Sequence, residues 1–152
     1  MNKTLTLLLL LLCIISTPCL IASPSESLAQ QLKANHGKVI YLDFWASWCG
    51  PCRKSFPWMN QMLEKYEAKG FRVITVNLDR EKKLAHDFLK EFPANFPIIY
   101  DAEGKTAEQY QLKGMPNSFI INRAGEVVTV HVGFRQKKRQ QYEQEIQTLL
   151  NQ

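Results

Sequence analysis

A chain of 152 residues, 45% hydrophobic and 22% charged, holds one ordinary domain and is neither disordered nor a multi-span membrane protein. All 14 acidic residues and 18 of the 19 basic ones follow residue 22, so the last 130 residues carry a net charge of only +4. That balance lacks the clustered basic face a nucleic-acid partner needs.

The first 22 residues differ in composition from the rest. Lys3 is followed by the apolar run Leu5 to Ile15, a break at Pro18 and the small residues Ala22 and Ser23. A short cationic start, an apolar stretch and a small-residue exit predict a secretory signal peptide over 1–22, with the mature domain at 23–152. The run is short for a membrane span, which needs about 20 apolar residues. Retention as an N-terminal anchor is the alternative. Either route places the domain outside the cytoplasm, periplasmic or otherwise extracytoplasmic, in an oxidising compartment. Cys13 and Cys19 lie in the leader, so only Cys49 and Cys52 remain, too few for a framework of several disulfides.

Ser23-Pro24-Ser25-Glu26 has the spacing of a capping box with proline at the first helical position; Leu28 and Leu32 follow, and Asn35-His36-Gly37 stops the helix. Val39 to Trp45 is a nearly continuous apolar run, the pattern of a strand buried on both faces. After Trp48-Cys49-Gly50-Pro51-Cys52, the residues Phe56, Met59, Met62, Leu63 and Tyr66 mark a helix ending at Gly70 and interrupted by Pro57. Phe71 to Leu78 reads as a second strand. The stretch from Asp79 to Gly114 exceeds a bare crossover and predicts an α-β-α insertion: a helix through Leu84, Phe88 and Phe92, a strand over Phe96 to Tyr100, and a short helix near Lys105 to Leu112. Met115-Pro116 opens a strand through Ile121. Asn122-Arg123-Ala124-Gly125 turns the chain into a return strand over Val127 to Val132, and Tyr142, Ile146, Leu149 and Leu150 stripe a closing helix. The order describes one α/β domain with a mixed central sheet flanked by helices. Arg135 to Arg139 reads as the solvated start of that last helix.

Two cysteines separated by two residues can be half of a zinc site, a redox dithiol or an incidental pair. Zinc wants four ligands, and His36, His86 and His131 are scattered along the chain. A purely structural disulfide closing so short a loop gains little from loop entropy. The neighbourhood favours the dithiol. The pair sits where a buried strand gives way to a helix, which puts Cys49 at the helix N-terminus. A good, partly buried geometry there favours an anion by about 1–2 kcal/mol, lowering a thiol from about 8.5 to roughly 7–7.8. Cys49 is then the nucleophile, open to partners. Cys52, one turn into the helix, is shielded and suited to resolve.

Asp43-Phe44-Trp45-Ala46-Ser47-Trp48-Cys49-Gly50-Pro51-Cys52 resembles the active-site segment of thioredoxin. Pro57 resembles its helix-kinking proline, and Gly114-Met115-Pro116 the loop whose cis-proline faces the dithiol. The leader, the insertion and Pro116-Asn117-Ser118-Phe119-Ile120-Ile121-Asn122 resemble the secreted TlpA/ResA-like disulfide reductases. The similarity runs from about Gly37 to Phe134 and implies a thioredoxin fold. Three features depart from the pattern. Ser55 stands where cytochrome-directed members tend to carry Glu. Thr75 stands where thioredoxin places a lysine against its buried acid. The helix from Ser23 to Asn35 replaces the N-terminal β-hairpin common in the group. Asp43 is therefore expected to be a buried carboxylate without a cation, raised by desolvation and able to accept a proton from Cys52.

The resemblance implies a protein-disulfide reductase working by thiol–disulfide exchange. Trp48, Gly50, Pro51, Met115 and Pro116 would form the substrate surface, with the Met115 backbone offered to an extended segment. No metal or other cofactor is implied beyond the Cys49–Cys52 couple. The expected partners are a disulfide-bearing protein substrate and a membrane thiol-electron donor, with the chain acting as a monomer. Alternatives are a copper or cytochrome c-maturation thiol chaperone, a reduced dithiol being a good Cu(I) ligand, and a disulfide oxidase or isomerase. A peroxiredoxin-like peroxidase would want a threonine shortly before its reactive cysteine, where Ala46 and Ser47 stand.

Overall fold

The computed structural model describes residues 23–152; the predicted signal peptide lies outside them. The first helix, α1 (Pro24–Ala34), starts as its sequence dictates. Ser23 Oγ accepts the Glu26 N–H at 3.2 Å, and Glu26 Oε2 accepts the Ser23 N–H at 2.8 Å. The strands are β1 (Val39–Trp45), β2 (Phe71–Asn77), β3 (Ile98–Tyr100), β4 (Asn117–Ile121) and β5 (Val127–Val132). Helices α2 (Cys52–Tyr66), α3 (Lys82–Glu91), α4 (Lys105–Gln109) and α5 (Arg139–Leu150) connect and close them. Among the described residues, no helix is long and apolar enough to cross a membrane.

The strands form one mixed sheet in the order β3-β2-β1-β4-β5, with β1, β2 and β3 parallel and β4 and β5 antiparallel to their neighbours. Central β1 is buried along its whole length, which is why its seven residues show no polar alternation. Side chains alternate across the sheet. Val39, Tyr41 and Trp45 pack beneath α2 and α5, with Phe56, Trp58, Met59, Phe88 and Ile146. Ile40, Leu42 and Phe44 pack on the opposite face with Leu28 of α1 and with Tyr110 and Leu112. After a short 3₁₀ turn following α2, Gly70 takes φ 92, a left-handed conformation that glycine adopts without a side-chain clash, and the chain enters β2.

The insertion between Asp79 and Gly114 has the predicted order α3, β3 and α4, but β3 begins at Ile98 rather than Phe96 and α4 ends at Gln109 rather than Leu112. The second strand stops at Asn77, one residue short of the prediction, and the fourth starts at Asn117 rather than at Met115. Asp101 is fully buried and accepts the N–H groups of Lys105, Thr106 and Ala107, fixing the first turn of α4.

Candidate active site

β1 delivers the site. Past Trp45 the chain leaves the sheet in a loop anchored by Asp79, which accepts the Ser47 N–H at 2.9 Å and the Ser47 hydroxyl at 2.8 Å, and also Asn77 Nδ2 at 2.8 Å. The Cys49 N–H donates to the Ala46 carbonyl, and the Cys52 N–H to the Cys49 carbonyl at 3.1 Å, closing a turn over Gly50-Pro51. That turn corrects the expected helix start. Cys52 is the first residue of α2 rather than one turn into it, and Cys49 lies in the turn before the helix. The physical reason is that the Cys49 carbonyl is taken by the turn, so helical bonding begins from Pro51, whose carbonyl accepts the N–H groups of Lys54 and Ser55.

Cys49 and Cys52 are joined in a disulfide, with their Cα atoms 5.3 Å apart. Cys52 is completely buried and Cys49 retains 3% exposure. Cys49, the expected nucleophile, is thus recessed in this oxidised state, where the sequence suggested an open position. It lines a cavity of about 550 Å³ whose wall continues through Trp48, Pro51, Leu78, Leu112 and Met115, with Gly50, Ala107 and Gly114 between them. Trp48 stands 68% exposed at this cavity, while Trp45 and Trp58 are buried. Of the other predicted surface residues, Gly50, Pro51 and Met115 line the cavity, and Pro116 is buried beside it. The Met115–Pro116 bond is cis, and the Pro116 carbonyl accepts the Gly133 N–H at 2.7 Å. Gly114 is crowded: a Cβ there would sit 2.9 Å from Val132 Cγ1.

Asp43 lies on the sheet face that carries α2 and the dithiol, fully buried, which excludes an edge carboxylate reaching water. Thr75 is its register partner on β2, at the position where the resemblance placed a missing lysine. The Thr75 hydroxyl accepts Trp45 Nε1 and donates to the Pro97 carbonyl. On the other side, Ser118 of β4 is the register partner, and its hydroxyl donates to Asp43 Oδ1 at 2.6 Å. Oδ2 is buried without a partner. Burial pushes this carboxyl up to about 7, with the Ser118 hydrogen bond pulling the other way.

Sequence reasoning missed Ser118 and Asp79, and the contribution of Leu78, Ala107 and Leu112 to the cavity. The signal for Ser118 was a hydroxyl inside an otherwise apolar strand, but only strand register reveals that it faces an acid. Among the described residues, no cluster of three or more His, Cys, Asp or Glu side chains could hold a metal ion.

Fold and site together define a dithiol protein of the thioredoxin superfamily. A ResA thiol-disulfide oxidoreductase of Bacillus cereus is 32% identical over 122 residues, covering 80% of this chain and 70% of the relative. The Bacillus subtilis ResA is 35% identical over 97 residues, but this chain spans only 54% of its length. A Chlorobium tepidum crystal structure, assigned provisionally to the DsbE thiol:disulfide interchange proteins, superposes with a TM-score of 0.76 at 54% identity, covering 78% of this chain and 84% of that one. StoA of Bacillus subtilis does so with a TM-score of 0.61 at 28% identity, over 72% and 82%. The redoxin family model matches residues 20–146, and the chain belongs to that family, as a TlpA/ResA-like thiol-disulfide oxidoreductase.

Proposed function

We propose that this protein is an exported reductase of protein disulfides, with Cys49 as nucleophile, Cys52 as resolving thiol and Asp43 as proton acceptor. The observation that carries the reading is a Cys49–Cys52 couple lining an apolar recess, with an uncompensated carboxyl on the sheet face behind it. In the reduced protein, the Cys49 thiolate attacks one sulfur of the partner's disulfide; that bond breaks, the other partner sulfur leaves as a thiolate, and a mixed disulfide forms. Cys52 gives its proton to Asp43 and attacks the Cys49 sulfur. The Cys49–Cys52 bond forms, the second partner sulfur leaves, and the partner has gained two electrons. A carboxyl near 7 is ionised often enough at neutral pH to take that proton and basic enough to hold it.

Export rests on the leader at 1–22, and reduction in an oxidising compartment implies a membrane thiol-electron donor to regenerate the dithiol. Trp48 and Met115 supply the apolar rim for a disulfide-bearing protein such as an apocytochrome. Insulin reduction with excess dithiothreitol as electron source tests the chemistry. Cys49→Ser abolishes turnover. Cys52→Ser loses the internal resolving step and, when reduced, freed of dithiothreitol and mixed with insulin, accumulates a mixed disulfide visible by non-reducing electrophoresis. Normal turnover by either variant overturns the mechanism.

A further inference from the structure

Of the polar groups carried by the elements around Asp43, one hydrogen-bonds its carboxyl. From β1, Tyr41 is fully buried on the same face, with its phenol pushed well above its ordinary range by burial first and by Asp43 second, so it is neutral at physiological pH. From β2, Thr75 spends its hydroxyl on Trp45 and Pro97. From α2, Cys52 is tied in the disulfide. From β5, His131 pairs in register with Ser118, and its Nε2 lies 2.8 Å from Glu145 Oε2 of α5, where Tyr142 also packs against its ring. Lys138 acts on His131 from the start of α5. The remaining neighbour is Ser118 of β4, 2% exposed, whose hydroxyl donates to Oδ1.

We propose that Ser118 is a positioning residue for the resolving step: its hydroxyl anchors the Asp43 carboxyl by Oδ1, keeps Oδ2 as the oxygen that takes the proton, and sets the pH at which the carboxyl can take it. This rests on the reading of Asp43 as the proton acceptor. The physical ground is that a buried carboxylate with one donor depends on that donor for nearly all its local stabilisation. A hydrogen bond to a charged group is strong enough to move a titration by about one to two pH units. Without the hydroxyl, the carboxyl would stay protonated further into the alkaline range and be unable to accept a proton at neutral pH.

The test has two readouts. The first is the titration of Asp43, followed by carboxyl ¹³C NMR in the oxidised, folded protein, which needs no turnover. The second is the pH profile of mixed-disulfide resolution in single turnover with a cystine peptide. Ser118→Ala raises the Asp43 midpoint by about one to two units, and the acid limb of the resolution profile moves with it. Ser118→Thr, which keeps the hydroxyl, restores both towards wild type. Ser118→Val, close in shape to threonine and favourable in a strand but without a hydroxyl, gives the alanine result should that variant fold poorly. An unmoved midpoint in the alanine or valine variant, or a threonine variant shifted as far as alanine, overturns the proposal. A midpoint that moves while the resolution profile stays fixed supports the hold of Ser118 on the carboxyl and overturns the role of Asp43 as proton acceptor.

Discussion

Asp43 is expensive to ionise where it stands, and the cost shows in stability as well as in chemistry. Its folded value near 7 lies above the ordinary 3.8, so between those limits the native state holds the proton more tightly than the unfolded chain. Stability conferred by this residue is therefore fully present below about pH 4 and is lost as pH rises through 7, by on the order of 4 kcal/mol. Asp43→Asn removes this slope. Denaturant unfolding of the oxidised proteins should find the variant more stable at pH 8, with the gap narrowing towards pH 4. His131, held below its ordinary value chiefly by burial, slopes the other way in both proteins and cancels in the comparison. The buried acid itself was legible, because the resemblance to thioredoxin implies one at Asp43 and the run Val39 to Trp45 reads as a strand buried on both faces. Its single donor was not: Ser118 is 75 residues away in sequence, and only β1–β4 pairing brings them together.

At the scale of elements, the short helix α4 depends on Asp101 more than on its own five residues, which are too few to hold a helix alone. Three backbone N–H groups converge on one buried carboxylate, and Ala107 of that helix lines the cavity. Asp101→Ala should cost about 1–2 kcal/mol, the upper range for a lost helix cap, and speed amide exchange at Lys105 to Ala107 before it affects β1. Every α-helix and strand among the described residues was legible in outline, because apolar spacing and turn residues agree with the tertiary environment there. The start of α2 was not, since Gly50-Pro51 first closes its own turn from Cys49 to Cys52. Nor was the depth of Cys49: walls from the loop after β1, the residue after β2, α4 and the cis-proline loop converge on it, and no spacing within the motif encodes them.

At the scale of the whole molecule, most ion pairs among the described residues lie at the surface, the partly buried His131–Glu145 pair being the exception. Arg53–Glu91, Lys83–Asp87, Lys90–Asp87 and Lys105–Glu103 all join exposed side chains. Such pairs contribute little each and are screened by salt. Raising NaCl from about 0.05 to 0.5 M should therefore change the unfolding free energy by less than about 1 kcal/mol at constant pH, a smaller effect than moving from pH 4 to pH 8. The core that does the work is two apolar layers around β1, and this is why the α/β architecture could be read from the chain before its site could. The three tryptophans divide along the same line. Trp45 and Trp58 are sealed in the core, while Trp48 stands in water beside the sulfur pair. The protein thus carries a built-in optical probe: two indoles whose emission reports the integrity of the interior, and a third, reachable by aqueous quenchers, whose colour and brightness respond when a guest settles against the reactive cleft.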